Sequence, residues 1–251
     1  MQRLTALLFF VVFHASPGVA LPLVDLPKAE GVFRIGVFVG TFDPLHVGHE
    51  QTINAALENG WVDAVVILPQ NFRVLGLQTY KPKALPTNIR LEMAFFRYQS
   101  HERVFVPKDT GEFGDRFVTG AVRWIRTHMP KTTQLIGIHG TDNYSSLVQR
   151  IFDRFLLDTD ATLLVERYRG AGREVPFGRF LGRPVHVLGV PDKLSVSSTE
   201  IRRILATPNV EIEDIDGLMD AHLFELVRTR GYYLGKSCAE ALVGEVSDVQ
   251  R

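Results

Sequence analysis

Two histidines three positions apart, His46 and His49, stand where a glycine-bounded apolar run gives way to a helical pattern. They lie in the stretch FRIGVFVGTFDPLHVGHE, Phe33 to Glu50. Val32 to Val39 is short, apolar and β-rich, which suits a buried strand. Gly40 breaks that strand, Asp43 and Pro44 turn the chain, and the helical pattern begins near Val47. Asp-Pro suits a helix entry, because Asp can cap free amides and proline fits the first turn. Strand, glycine turn and helix start together place backbone N–H groups and the positive end of a helix dipole beside two imidazoles. Such an arrangement suits a phosphate chain. The plainer alternative is a capped helix carrying two solvated histidines. A zinc site is disfavoured, since no cysteine or third histidine sits nearby at ligand spacing.

A second cluster of the same kind lies downstream, in Ser195-Val-Ser-Ser-Thr-Glu-Ile-Arg-Arg. Ser197 with Glu200 three residues later has the form of a capping box, ahead of the helical run Ile201 to Ala206. The box gives Ser197 and Glu200 a structural reason to be there. It gives none for Arg202, a cation in the first turns of a helix, where free amides already favour an anion.

The elements that must position these clusters alternate. Helical character over His49 to Glu58, with Ile53, Ala56 and Leu57 on one stripe, ends at Asn59-Gly60. Ala64 to Leu68 reads as a second buried strand closed by Pro69, Thr87 to Tyr98 as a helix, and Val104 to Val106 as a short strand. Arg116 to Met129 reads as a helix, and Gln134 to Ile138 as a strand leading into His139-Gly140-Thr141-Asp142. Thr162 to Glu166 and Val185 to Leu188 read as strands, Gly170 to Gly178 as a loop, and Leu218 to Arg230 as an amphipathic helix. The alternation predicts an α/β, Rossmann-like parallel sheet with helices on both faces. Between Gln70 and Pro86 runs a polar loop carrying Arg73, Lys81 and Lys83, either a solvated surface loop or a flap that brings cations to phosphates. There is no P-loop, and Gly170-Ala-Gly172 lacks the third glycine and the following helix of a dinucleotide fingerprint.

GTFDPLHVGH, with Gly40, Thr41, Asp43, Pro44, His46, Gly48 and His49, resembles the T/HxGH signature of the nucleotidyltransferase superfamily. Ser198-Thr199-Glu200-Ile201-Arg202 resembles that superfamily's SSTxxR element. The resemblance implies transfer of a nucleotidyl group from a nucleoside triphosphate to a phosphate-bearing acceptor, with release of pyrophosphate. It assigns the catalytic donors to His46, His49 and Arg202 and the ATP phosphates to Gly40, Thr41, Phe42, Asp43, Gly48, Ser198 and Thr199. Magnesium is the implied cofactor, held largely by phosphates and water.

The overall layout, from about Val32 to Tyr233, is most similar to nicotinate/nicotinamide mononucleotide adenylyltransferases. Its pieces are GTFDPLH, the KPK loop before Arg90-Leu-Glu-Met, HGTD at a strand end, and VSSTEIRR. ATP and a mononucleotide are then the partners. Lys81, Lys83, Arg90, Gly140, Asp142 and Phe152 become candidates for the acceptor or a ribose. Asp142 could equally cap a short helix starting near Asn143. Two departures bear on the acceptor. Phe117-Val-Thr-Gly-Ala stands where bacterial nicotinate-mononucleotide enzymes usually carry YTxDT. Gln149-Arg150-Ile151-Phe152 stands where they place a ring-stacking tryptophan, so that Phe152 alone there could stack. The alternatives are adenylyl or cytidylyl transfer to another phosphorylated small molecule, and a non-catalytic nucleotide-binding sensor.

Composition fits this reading. The 251 residues are 45% hydrophobic and 22% charged, ample for one α/β domain with a sizeable core. A formal net charge of zero argues against a broad electrostatic grip on nucleic acid. The single cysteine, Cys238, allows neither an intramolecular disulfide nor a Cys-based metal site.

At the N-terminus, Met1-Gln2-Arg3, the apolar run Leu4 to Phe13 and Ser16-Pro17-Gly18-Val19-Ala20 have the form of a signal peptide cleaved after Ala20. An extension upstream of a start nearer Leu26, or a buried amphiphilic extension, competes with that reading. The run is shorter than the roughly 20 apolar residues of a membrane span. Export to the periplasm follows if the segment is cleaved, and a cytoplasmic location if it is not. Residues 1–20 are thus set apart from a nucleotidyltransferase domain over 21–235 and a loosely ordered tail over 236–251. Homo-oligomerisation stays open.

Overall fold

A computed structural model describes residues 33–70, 84–107, 117–141, 158–166, 178–180, 183–190 and 196–234. The expectations for residues 1–20 and 236–251 and for Lys81, Lys83, Asp142 and Phe152 fall outside these.

The chain runs β1 (Arg34–Gly40), α1 (Val47–Glu58), β2 (Ala64–Pro69), α2 (Thr87–Tyr98), β3 (Val104–Phe105), α3 (Phe117–His128), β4 (Gln134–Gly140) and β5 (Ala161–Glu166). It continues through β6 (Gly178–Phe180), β7 (Arg183–Gly189), α4 (Ser198–Leu205) and α5 (Ala221–Thr229). The strands form one sheet in the order β3-β2-β1-β4-β5-β7-β6, parallel except for β6, which pairs antiparallel with β7 at the edge. Consecutive residues of the central strands are buried, Val65 to Leu68 completely. Side chains alternate across a sheet, so burial of neighbours means that both faces are covered. The expected α/β architecture is the one observed.

From β1 the chain winds one way to β2 and β3, then returns to place β4 on the other side of β1. A crevice opens at such a reversal, at the carboxyl ends of the strands. β1 and β4 pair with Phe38 opposite Ile138, and each runs two residues further, to Gly40 and Gly140. The GTFDPLH and HGTD stretches therefore leave the sheet side by side.

Several boundaries differ from the sequence reading for local reasons. β6, a three-residue edge strand of Gly-Arg-Phe, overlaps the end of the segment read as loop, because it carries no apolar alternation. α5 begins at Ala221 instead of Leu218, because the Asp220 side chain accepts from the His222 and Leu223 amides and sets the first turn there. The carbonyl of Leu218 instead takes the Val47 amide at the start of α1, 3.0 Å away. Among the described residues no helix is long and apolar enough to cross a membrane.

One ion-pair network fastens these helices. Arg97 of α2 makes a two-pronged contact with Glu50 of α1, at 2.9 and 2.7 Å, and its Nε lies 3.5 Å from the capping Asp220. Planar guanidinium–carboxylate forks of this kind, half withdrawn from water, outweigh exposed pairs. Arg97→Ala should cost about 1–2 kcal/mol and lower Tm by roughly 3–6 °C in a thermal melt. Arg97→Lys should recover only part of the loss, because an ammonium cannot reproduce the fork.

Candidate active site

Gly40 is the last residue of β1, and its carbonyl accepts from the Gln70 amide at 2.8 Å. Phe42 then takes a left-handed backbone conformation, φ +49°, which non-glycine residues rarely adopt. Its ring is fully buried and folds back over the strand end, edge-on to Phe38 at 5.1 Å and to His49 at 5.0 Å. A Cβ at Gly40 would lie 2.8 and 2.9 Å from that ring. Gly40 is thus demanded by Phe42, in addition to any approach by phosphate.

His46, not Asp43, caps α1. Its Nδ1 accepts from the Gly48 amide at 3.2 Å, and the His46 amide donates to His49 Nδ1 at 3.3 Å, closing a capping box made of two imidazoles. The rings lie 3.8 Å apart and are 2% and 8% exposed, so these are not solvated histidines on a helix surface. Because each Nδ1 accepts from a backbone N–H, each neutral ring carries its proton on Nε2. A Cβ on Gly48 would fall 3.1 and 3.2 Å from the His46 ring, so this glycine makes room for the capping imidazole.

Asp43, expected as a cap, turns inward and is 1% exposed. Its Oδ1 accepts from the Leu85 amide at 3.2 Å and from the Tyr233 hydroxyl at 2.8 Å. Burial and the adjacent Asp43 carboxylate hold the Tyr233 phenol well above its ordinary range, so it stays a protonated donor.

α4 brings the second cluster to the same loop. Ser197 caps it by accepting from the Glu200 amide at 3.2 Å, the serine half of the expected box. Ser198 Oγ donates to the Pro44 carbonyl at 3.4 Å. Arg202 reaches back across the gap, with one terminal nitrogen 2.5 Å from the Asp43 carbonyl and 3.4 Å from Asp43 Oδ2, and the other 3.1 Å from Thr199 Oγ1. His46, His49, Gly48, Ser198, Thr199 and Arg202, split by some 150 residues of sequence, converge on one loop.

Arg90, grouped from sequence with the acceptor-facing residues, lies beneath this loop and is 1% exposed. It donates to the Leu85, Thr41 and Gln70 carbonyls at 2.8, 2.6 and 2.7 Å, and to Thr87 Oγ1 at 2.9 Å. Burial pulls its guanidinium down to about 10, which leaves it a cation at neutral pH. As placed, it clamps the strand ends. Gly140 sits buried at the end of β4, followed by Thr141, whose buried hydroxyl has no partner among the described residues.

Sequence reasoning missed Tyr233. The signal was slight: Gly231 ends α5 with φ +64°, and an aromatic pair follows in a segment that reads as helix exit.

This geometry makes Gly48→Ala diagnostic. Alanine at a helical position is favoured over glycine by about 1 kcal/mol, so thermal stability should hold while the displaced His46 ring lowers turnover roughly 10–100-fold. Unchanged turnover would mean that the ring's position is immaterial.

Comparison with known proteins agrees with the geometry. The cytidylyltransferase-like family model matches residues 37–204. A protein of Thermus thermophilus named probable nicotinate-nucleotide adenylyltransferase is 30% identical over 173 residues, covering 68% of this chain and 86% of that one. A protein of the same name from Neisseria meningitidis is 28% identical over 216 residues, covering 80% and 98%. The fold is that of the Plasmodium falciparum nicotinic acid mononucleotide adenylyltransferase complexed with NaAD, at 17% identity and TM-score 0.55, over 80% of this chain and 97% of that one. Strand-end loop, paired histidines and converging arginine, together with these likenesses, place the chain in the cytidylyltransferase-like family of nucleotidyltransferases, beside its nicotinate-nucleotide adenylyltransferase relatives.

Proposed function

We infer that this protein transfers the adenylyl group of ATP to the phosphate of nicotinate or nicotinamide mononucleotide, forming the dinucleotide of NAD biosynthesis and releasing pyrophosphate. The observation that carries the reading is the convergence of two helix N-termini, His46, His49 and Arg202 on one strand-end loop. An acceptor phosphate oxygen attacks the α-phosphorus of ATP in line, and the bond to the β-phosphate oxygen breaks. No protein nucleophile is required. The chain's part is to hold two anions together and to meet charge on the transferring and leaving groups.

The roles divide by position. The Nε2–H groups of His46 and His49 address the triphosphate from the start of α1, beside Gly40, Thr41 and Gly48. Ser198, Thr199 and Arg202 take the leaving β- and γ-phosphates from the start of α4, where a guanidinium fork matches two oxygens at once. This donor set of imidazole, guanidinium and amide N–H suits phosphate oxygens and not a cation. Magnesium therefore belongs with the triphosphate's own oxygens and water, where it supplies charge neutralisation. Gly140 and Asp142 are assigned to a ribose, Lys81 and Lys83 to phosphate charge, and Phe152 to stacking on the acceptor ring.

Pyrophosphate release tests the reading. A form beginning at Leu21, with ATP and magnesium, is offered nicotinate mononucleotide, nicotinamide mononucleotide, pantetheine phosphate and glycerol phosphate in turn. The expected result is dinucleotide formation with a pyridine mononucleotide, reduced about 10²–10³-fold by His49→Ala and by Arg202→Ala. Turnover with a different acceptor would replace the substrate while keeping the mechanism. Tight ATP binding without turnover on any acceptor would leave a nucleotide sensor.

A further inference from the structure

Tyr233 returns to the loop after β1 from 190 residues further along the chain. It does so in a left-handed conformation, φ +71°, directly after the helix-ending Gly231 and Tyr232. Contacts on both sides fix that turn. Tyr232 donates to Glu92 Oε2 of α2 at 2.7 Å, Arg230 meets Glu92 Oε1 at 3.0 Å, and Tyr233 donates to Asp43 Oδ1 at 2.8 Å.

Asp43 needs such a donor. A carboxylate 1% exposed must satisfy its oxygens inside the protein, and Oδ1 does so with the Leu85 amide and the Tyr233 hydroxyl. The second oxygen, Oδ2, faces Arg202 at 3.4 Å, while the Asp43 carbonyl takes the same Arg202 nitrogen at 2.5 Å. One Arg202 nitrogen is thus shared between a short bond to the Asp43 carbonyl and a longer ion pair with its carboxylate.

We propose that Tyr233 is a positioning residue for adenylyl transfer: by pinning the Asp43 carboxylate and satisfying one of its oxygens, it keeps Arg202 available to the phosphates of the nucleotide. The proposal rests on the assignment of Arg202 to those phosphates. Without the hydroxyl, Oδ1 keeps, among the described residues, only the Leu85 amide, and the under-bonded carboxylate competes with phosphate for the guanidinium. Burial beside that carboxylate keeps the phenol protonated, so the donor persists across the neutral pH range.

Tyr233→Phe removes the hydroxyl and leaves the ring. The full chain, Tyr233→Phe, Arg202→Ala and the double variant form a cycle, with thermal melts fixing a temperature at which all four are folded. The readouts are kcat/KM for ATP and the affinity for inorganic pyrophosphate by calorimetry. Tyr233→Phe should lower both about tenfold in the parent and less than about twofold when Arg202 is already absent. Equal losses in both backgrounds would make Tyr233 a structural residue only, and no loss in the parent would likewise overturn the proposal. A parent that binds pyrophosphate but turns over no pyridine mononucleotide would refute the substrate assignment, and the pyrophosphate cycle would still decide the role of Tyr233. A parent that binds no pyrophosphate would overturn the assignment of Arg202 and this proposal with it.

Discussion

Parallel strands that stop together leave backbone carbonyls at the sheet edge with nothing to pair, and in this chain one buried cation answers that need. The Arg90 guanidinium collects carbonyls from the loop after β1, the loop after β2 and the entry to α2. Its planar set of five donors is suited to gathering several acceptors at once, which an ammonium on a flexible stem is not. Burying a cation is costly unless acceptors surround it and a counter-charge is near. The carbonyls supply the first and Asp43, the largest favourable charge acting on Arg90, supplies the second. Strand ends clamped from below can support a loop in which Phe42 holds an unfavourable backbone angle and Asp43 points inward.

On that support the loop's carbonyls accept from Arg90, Ser198 and Arg202 before the chain enters α1. The first turn of α1 is capped by imidazoles in place of hydroxyl and carboxylate, which changes what the cap offers to a ligand. A Ser/Glu box satisfies amides and adds negative charge. The His46/His49 box satisfies amides through Nδ1, which leaves the proton of each neutral ring on Nε2. Gly48 is the residue that gives the capping imidazole room. At α4, Thr199 and the Asp43 carbonyl likewise orient the Arg202 guanidinium.

Much of this was legible in the residues. Alternating apolar runs and helical stripes gave the central strands and α2 to within a residue or two, because buried parallel strands read as unbroken apolar stretches. The two converging clusters were visible because glycine, histidine, serine and arginine stood at helix starts. What sequence left hidden depends on long-range contacts. Asp43 before proline has the local form of a cap, and only Leu85, Arg202 and Tyr233 reveal it as a buried acceptor. Arg90 sits on a helix like any solvated arginine, and its burial is decided by three carbonyls from elsewhere. β6 was illegible because three edge residues carry no period to read.

We infer that the capping box fixes both imidazoles as Nε2–H donors for the triphosphate. Histidine ring 15N–1H correlation spectra, assigned with His46→Ala and His49→Ala, test it directly. Both rings should appear as neutral Nε2–H tautomers in the free protein, and both Nε2 resonances should shift on addition of a non-hydrolysable ATP analogue. Nδ1–H tautomers, or Nε2 resonances indifferent to the analogue, would contradict the account.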